Sequence, residues 1–329
     1  MHYDFVSIGD ITTDAFIKLK DAHVTCKINN IDCEICMKFG TKIPFESVTE
    51  VLAVGNAPNA AVCCARLGLQ SALVAHIGGD QNGLNCFNAL TERGVATEYI
   101  EKHPDMKTNY HYILQYGPER TILIKHELYP YKLPAFPENP GWFYLSSLPE
   151  NSLEYQLDIA RSAKQNSIKL AFQPGTFQMK LGKEKMKEVY EASEIFFCNK
   201  EESQLILGTP DEHDIKKLLA DIQALGPKIP VITDGREGSY VLEESVAYHI
   251  PMYPDPAPPV SRTGAGDATA ATTVAYIIKG MSPKDALMRG TINAAAGVQA
   301  VHVQLGTLTP EKIEEWYAKR PADFVATQI

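Results

Sequence analysis

The sequence predicts an α/β fold of three layers, with a mainly parallel central sheet, helices on both of its faces and a small second β-sheet. Three observations lead there. Short apolar runs alternate along the chain with longer stretches of helical periodicity, the pattern of parallel strands joined by crossover helices. Two segments, 15–48 and 106–128, break that rhythm with residues that alternate between polar and apolar, as half-exposed strands do. At 329 residues the chain is long for one average domain and short for three, so a single large domain spanning 1–329 with an appendage is expected.

Element by element, Tyr3–Gly9 (YDFVSIG) reads as a first buried strand. Ala57–Leu67 is rich in helix formers and stops at Gly68, a residue suited to the left-handed turn after a helix. Ser71–Ile77 reads as a strand and Asn82–Arg93 as an amphipathic helix ended by Gly94. In the intruding segments, Thr108–Leu114 and Arg120–Ile124 alternate as antiparallel strands would. They either form a sheet of their own or lie at the edge of the main one. Further strands are expected at Trp142–Ser146, Ile168–Phe172, Ile195–Cys198 and Ile229–Thr233, with helices near 151–165, 183–191, 200–207 and 212–225. Pro-rich stretches at 130–140 and 251–259 are connectors. The last third is helical. Ala265–Ile278 is apolar nearly all round, hence buried on most sides. Pro283 sits in a first turn before Ala286–Val301, and Thr309-Pro310 opens a final helix.

Bulk chemistry narrows the function. The formal charge is −9 and no Lys/Arg block stands out, which excludes a nucleic-acid backbone as partner, because basic surface supplies most of that affinity. No apolar run is long enough to span a bilayer, and the start MHYDFVSIGD is not a basic segment followed by an apolar one. A cytoplasmic protein without membrane contact is the expectation. Seven scattered cysteines suggest reduced thiols. Cys26, Cys33 and Cys36 include a C-x-x-C, and His23 is nearby. This group is either a zinc site lacking a well-spaced fourth ligand or a set of small apolar residues in a strand pair.

The segment Gly264-Ala265-Gly266-Asp267 opens the buried helix. Two glycines allow a ligand to approach the backbone, and the unpaired first N–H groups favour an anion. A carboxylate there repels a bound phosphate, but it makes sense as the base that takes a proton from an attacking hydroxyl. The other reading is that Asp267 only stabilises the helix start while the glycines permit tight packing. No G-x-x-x-x-G-K-[ST] occurs, and Gly264-x-Gly266 continues to Thr269 where a dinucleotide fingerprint has glycine. Nor is there an HExxH or a GxSxG.

Further segments follow in order: Gly55-Asn56-Ala57-Pro58-Asn59, Ile77-Gly78-Gly79-Asp80, Asn199-Lys200-Glu201-Glu202, Thr233-Asp234-Gly235-Arg236-Glu237-Gly238 and Thr263-Gly264-Ala265-Gly266-Asp267. Together they resemble the ribokinase-like, or PfkB, family of carbohydrate and nucleoside kinases, from about residue 3 to 303. The resemblance implies an α/β domain of nine or so strands with a β-sheet lid, to which 15–48 and 106–128 belong. The exposed edges of such a lid sheet favour pairing between two chains, so a homodimer through the lid is expected. The resemblance places Asp14, Gly55, Asn56 and Asn59 on the substrate hydroxyls, and Asn199 and Glu202 on Mg²⁺ and its waters. Thr233, Gly235, Gly238 and Asn293 fall on the nucleotide, ATP. Gly264, Ala265 and Gly266 become an anion hole, and Asp267 becomes the base.

Each position also has a plain structural reading. Asp14 can be a turn residue, Asn59 or Asn199 a helix cap, Glu202 first-turn decoration, and Thr233–Gly238 a hairpin turn. The chain departs from the family at Ser261, where an Asp helps bind a monovalent cation, and Arg262 follows it. Potassium activation is therefore an open question. Phe172-Gln173-Pro174-Gly175 carries no assigned role. A sugar is the first-choice substrate, given the polar Asp14, Asn56 and Asn59. A nucleoside is the alternative, stacking on Phe16, Phe39, Tyr110 or Tyr112. A phosphorylated sugar would use lid cations such as Lys38, Lys42, Arg120 or Lys125. The rival from another class is a non-catalytic sensor of ATP or sugar, against which an intact Asp267 argues.

Overall fold

The computed structural model describes residues 2–25, 33–116 and 119–329. Its strands run in chain order as β1 (Phe5–Ile8), β2 (Thr12–Leu19), β3 (His23–Thr25), β4 (Glu34–Cys36) and β5 (Phe45–Val54). Then come β6 (Ser71–Gly78), β7 (Ile100–His103), β8 (Asn109–Tyr116), β9 (Glu119–Leu123), β10 (Trp142–Leu145) and β11 (Lys169–Phe172). The last are β12 (Ser193–Asn199), β13 (Ile229–Thr233), β14 (Ser239–Glu243), β15 (Val246–Ile250) and β16 (Thr327–Gln328).

Ten strands form the central sheet in the order β16-β15-β14-β13-β12-β11-β10-β1-β6-β7. From β7 to β13 every neighbour is parallel, and β14, β15 and β16 add an antiparallel flank. Strands covered on both sides read as continuous apolar runs, and β1, β6 and β10 are buried along their whole length. Because side chains alternate, one strand feeds two cores. Val6, Ile8, Phe143 and Phe172 pack on the face that carries Leu153–Gln165 and Ile215–Ala224. Phe5, Tyr144, Ile195 and Val231 pack on the opposite face, under Asn56–Arg66, Ala265–Ile278 and Pro283–Gly297. Each such large apolar side chain contributes about 1.5–3 kcal/mol by leaving water.

The intruding segments build a sheet of their own, in the order β5-β2-β8-β9. β2–β5 and β8–β9 are antiparallel, but the central pair β2–β8 is parallel. This corrects the all-antiparallel expectation. β8 is reached only after β6, the helix Gln81–Glu92 and β7, and such a long crossover lets two strands run in one direction. The strands also exceed the expected bounds, since β2 starts at Thr12 and β5 ends at Val54. Phe16, Val51, Val54 and Ile113 make a small core beneath them.

The hairpin β14–β15 was not anticipated. It turns at Glu244 and Ser245, both with positive φ (48° and 69°), a conformation usually announced by Asn or Gly. Cys36, Cys63, Cys64, Cys86 and Cys198 are free thiols, whereas Cys33 is disulfide-bonded, so the expectation of reduced thiols throughout fails there. Cys26 lies outside the described residues. Cys36 lies on β4 and donates weakly to Thr25 across the β3–β4 pair. Among the described residues, no metal-ligand cluster includes His23, Cys33 or Cys36. Among the described residues, no helix is long and apolar enough to cross a membrane.

Candidate active site

Gly264 caps the helix Ala265–Ile278 with φ +82°, which disfavours any side chain, and a Cβ there would meet Val303 Cγ1 at 2.5 Å. Ala265 N donates to Arg262 O and Ala268 N to Gly264 O, while the N–H groups of Gly266 and Asp267 have no acceptor among the described residues. A Cβ on Gly266 would find only Gln173 Nε2, at 3.8 Å, so the backbone there is open to a ligand. Two free donors at the positive end of a long buried helix suit an anion.

Asp267 is buried beside them. Its Oδ1 accepts from Asn56 Nδ2 at 2.7 Å and from Gln173 Nε2 at 3.2 Å, and its Oδ2 accepts from Asn59 Nδ2 at 2.7 Å. Burial pushes its pKa up, and the amide donors of Asn59, Asn56 and Gln173 oppose that rise. Asn56 and Asn59 are delivered by the start of the helix Asn56–Arg66. The preceding Gly55 has φ +119°, and a Cβ there would lie 2.8 Å from Asp10 O. Asn59 is no cap, because its Oδ1 accepts from Gln304 Nε2 at 2.8 Å. Gln304 also donates to Ala53 O and accepts from Arg93. Gln173, Gln304 and Arg93 escaped the sequence reading. Nothing local marks them, because their partners stand far away in the chain.

A cleft of about 360 Å³ adjoins the helix start. It brings Thr233, Gly235 and Gly238 together with Arg262, Ala265 and Gly266. Asn293 does not join them. It is fully buried, donating to Thr272 Oγ1 at 2.8 Å and accepting from Leu308 N at 2.7 Å. Thr291, Ala294, Ala295 and Val298 line the cleft instead; helical spacing turns 293 away from the face they share. Arg262 donates from Nη2 to Asp255 Oδ2 at 2.8 Å on the cleft wall, and Ser261 Oγ accepts from Thr263 N at 3.3 Å.

Asn199 and Glu202 form a reciprocal capping box on the helix Lys200–Leu207. Asn199 Oδ1 accepts from Glu202 N, and Glu202 Oε2 accepts from Asn199 N, each at 2.8 Å. Burial raises the Glu202 pKa against the pull of the Asn199 N–H, and the charge of Asp267 adds to the rise.

On the small sheet, Asp14 on β2 faces His111 on β8, with Oδ1 and Nδ1 3.3 Å apart. Asp14 Oδ1 and His111 Nε2 are buried and have no hydrogen-bond partner among the described residues. Asp10 repeats the pairing. Its Oδ2 lies 3.3 Å from His126 Nδ1, and its Oδ1 accepts from Tyr131 OH at 2.8 Å. The His111 and His126 rings meet edge to face at 5.2 Å. Asp10, His111 and His126 are therefore further polar candidates beside Asp14. The aromatic residues are placed differently. Phe16 is in the small core, Tyr110 packs on Tyr112 at 5.0 Å and donates to Glu50, and Phe39 is wholly exposed.

Comparison with known proteins identifies the family and the fold. The pattern of the pfkB family carbohydrate kinase matches residues 30–310. Ribokinase of Mus musculus is 26% identical over 266 residues, 76% of this chain and 79% of that one. Ribokinase of Bacillus subtilis is 26% identical over 275 residues, 79% and 86% of the two chains. Arabidopsis thaliana ribokinase complexed with ribose and ATP shares the fold at TM-score 0.81 and 20% identity, covering 96% of this chain and 98% of that one. The nucleoside kinase of Methanocaldococcus jannaschii does so at TM-score 0.79 and 19% identity, over 97% and 100%. With the family pattern spanning most of its length, the chain belongs to the pfkB family of carbohydrate kinases.

Proposed function

We propose that the protein transfers the γ-phosphoryl group of ATP to a hydroxyl of a small polyhydroxylated substrate, with a sugar as first choice. The observation that carries this reading is Asp267, a buried carboxylate gripped by Asn56, Asn59 and Gln173 beside the free N–H groups of Gly266 and Asp267. In the reaction, the substrate oxygen forms a bond to γ-phosphorus as the bond to the β,γ-bridging oxygen breaks. The hydroxyl proton goes to Asp267, and ADP leaves. The free N–H groups hold charge that develops on the phosphoryl oxygens. The cleft beside Gly266 is the nucleotide side, and Thr233, Gly235 and Gly238 are its walls.

Mg²⁺ would supply charge neutralisation for the triphosphate. Glu202 fits that ion, since its half-buried carboxylate carries a desolvation penalty that a cation relieves. Asn199 serves by holding Glu202, because its own Oδ1 is spent on the Glu202 N–H. On the acceptor side, Asp14 Oδ1 and His111 Nε2, buried and without a hydrogen bond among the described residues, suit the hydroxyl groups of a sugar. The small sheet acts as the lid, and its apolar surface pairs two chains. The test is ADP release with ATP-Mg²⁺ across pentoses, hexoses, sugar acids and nucleosides. Turnover confined to sugars supports the reading, turnover confined to nucleosides moves the acceptor to that class, and ATP binding without turnover on any of them contradicts it.

A further inference from the structure

Away from the nucleotide cleft, the β6–β7 edge of the central sheet carries a group of side chains that the kinase reaction does not use. His76 on β6 is paired in register with Glu101 on β7, and His103 lies two residues further along β7. Residues two apart on a strand project to one face, so Glu101 and His103 flank His76. His76 Nδ1 is 2.9 Å from His103 Nε2. The two Glu101 oxygens lie 3.8 Å from the first nitrogen and 3.9 Å from the second. Among the described residues this is the one group whose three potential metal-ligand atoms lie within 4.8 Å of one another.

A hydrogen bond between the rings accounts for the 2.9 Å contact alone. It does not account for a carboxylate that turns one oxygen toward each nitrogen at distances too long for hydrogen bonding. Ligands about 2.0–2.2 Å from a tetrahedral ion stand roughly 3.4 Å apart, between the separations found here, so small side-chain rotations would bring all three onto one ion. His76 is held by its surroundings. Its ring stacks on Tyr129 at 5.5 Å and meets the Tyr131 edge at 4.9 Å. On the outer side, a cleft of about 220 Å³ reaches His76 and Glu101, giving an ion a way in and room for a water as fourth ligand.

We infer that His76, Glu101 and His103 form a binding site for one divalent transition-metal ion of the zinc class, separate from the nucleotide Mg²⁺. Two imidazoles and one carboxylate are a borderline donor set that prefers zinc-like ions to magnesium. The experiment is calorimetric titration of the metal-free full-length protein with ZnCl₂ in excess Mg²⁺, with Co²⁺ absorption as a spectroscopic check. The expected result is one ion per chain. Affinity should fall about tenfold or more in Glu101→Gln and in His103→Ala, with metal-free melting temperatures close to wild type. Glu101 is exposed on an edge strand, so Glu101→Gln tests the site even if His103→Ala fails to fold. No zinc uptake at micromolar concentration, or equal affinity in wild type and Glu101→Gln, would overturn the inference.

Discussion

Gln173 sits where β11 ends and joins two groups that the chain keeps far apart. Tyr144 donates to its Oε1, and its Nε2 donates to Asp267 Oδ1. Burial raises the Asp267 pKa and each donor pulls it back, so losing one donor leaves the carboxyl harder to ionise. In Gln173→Ala the acid limb of kcat/KM should therefore shift to higher pH, measured as ADP release across a pH series. An acid limb that stays in place would mean Gln173 does not tune the base. Asp267 and Gly264 were legible in the sequence because a helix start is a local pattern. Gln173, Gln304 and Arg93 were not, since their hydrogen bonds span 94, 245 and 211 residues of chain. Asn293 was misplaced for a related reason. Its helix is buried nearly all round, so no apolar stripe shows which face meets the cleft.

At the scale of elements, the capping box of Asn199 and Glu202 links helix stability to the proposed Mg²⁺ side. Asn199→Ala removes one half of it and should cost about 1 kcal/mol in urea unfolding, whereas Asn199→Ser retains a capping oxygen and should restore most of that. If the Ala and Ser variants unfold alike, the cap does not hold Glu202 in place. The parallel strands were legible because burial on both faces leaves unbroken apolar runs such as FVSI and WFYL. The β14–β15 hairpin lacked its usual turn residues, and the parallel β2–β8 pairing depends on a crossover that strand patterns alone do not encode.

For the whole molecule, the small sheet presents a surface unusual for a monomer. The first six residues of β5 are exposed, and Phe45, Val48, Tyr112, Ile122 and Leu123 show apolar area to solvent. Open edges and apolar patches of this kind favour pairing between chains. The proposed homodimer predicts a light-scattering mass of twice 36.3 kDa at micromolar concentration, and a monomer in Val48→Lys. A wild-type mass of one chain would contradict it. The small sheet was foreseeable as two segments out of rhythm. Its exposed apolar side chains were not, because alternation does not say which side is covered.

The claim on which the rest depends is that Asp267 is the base. Comparing Asp267→Asn with wild type in ADP release, with ATP binding followed by calorimetry, tests it directly. The variant should bind ATP with little change and lose about 10²–10⁴-fold in kcat/KM. A variant that turns over within a few fold of wild type would contradict the account.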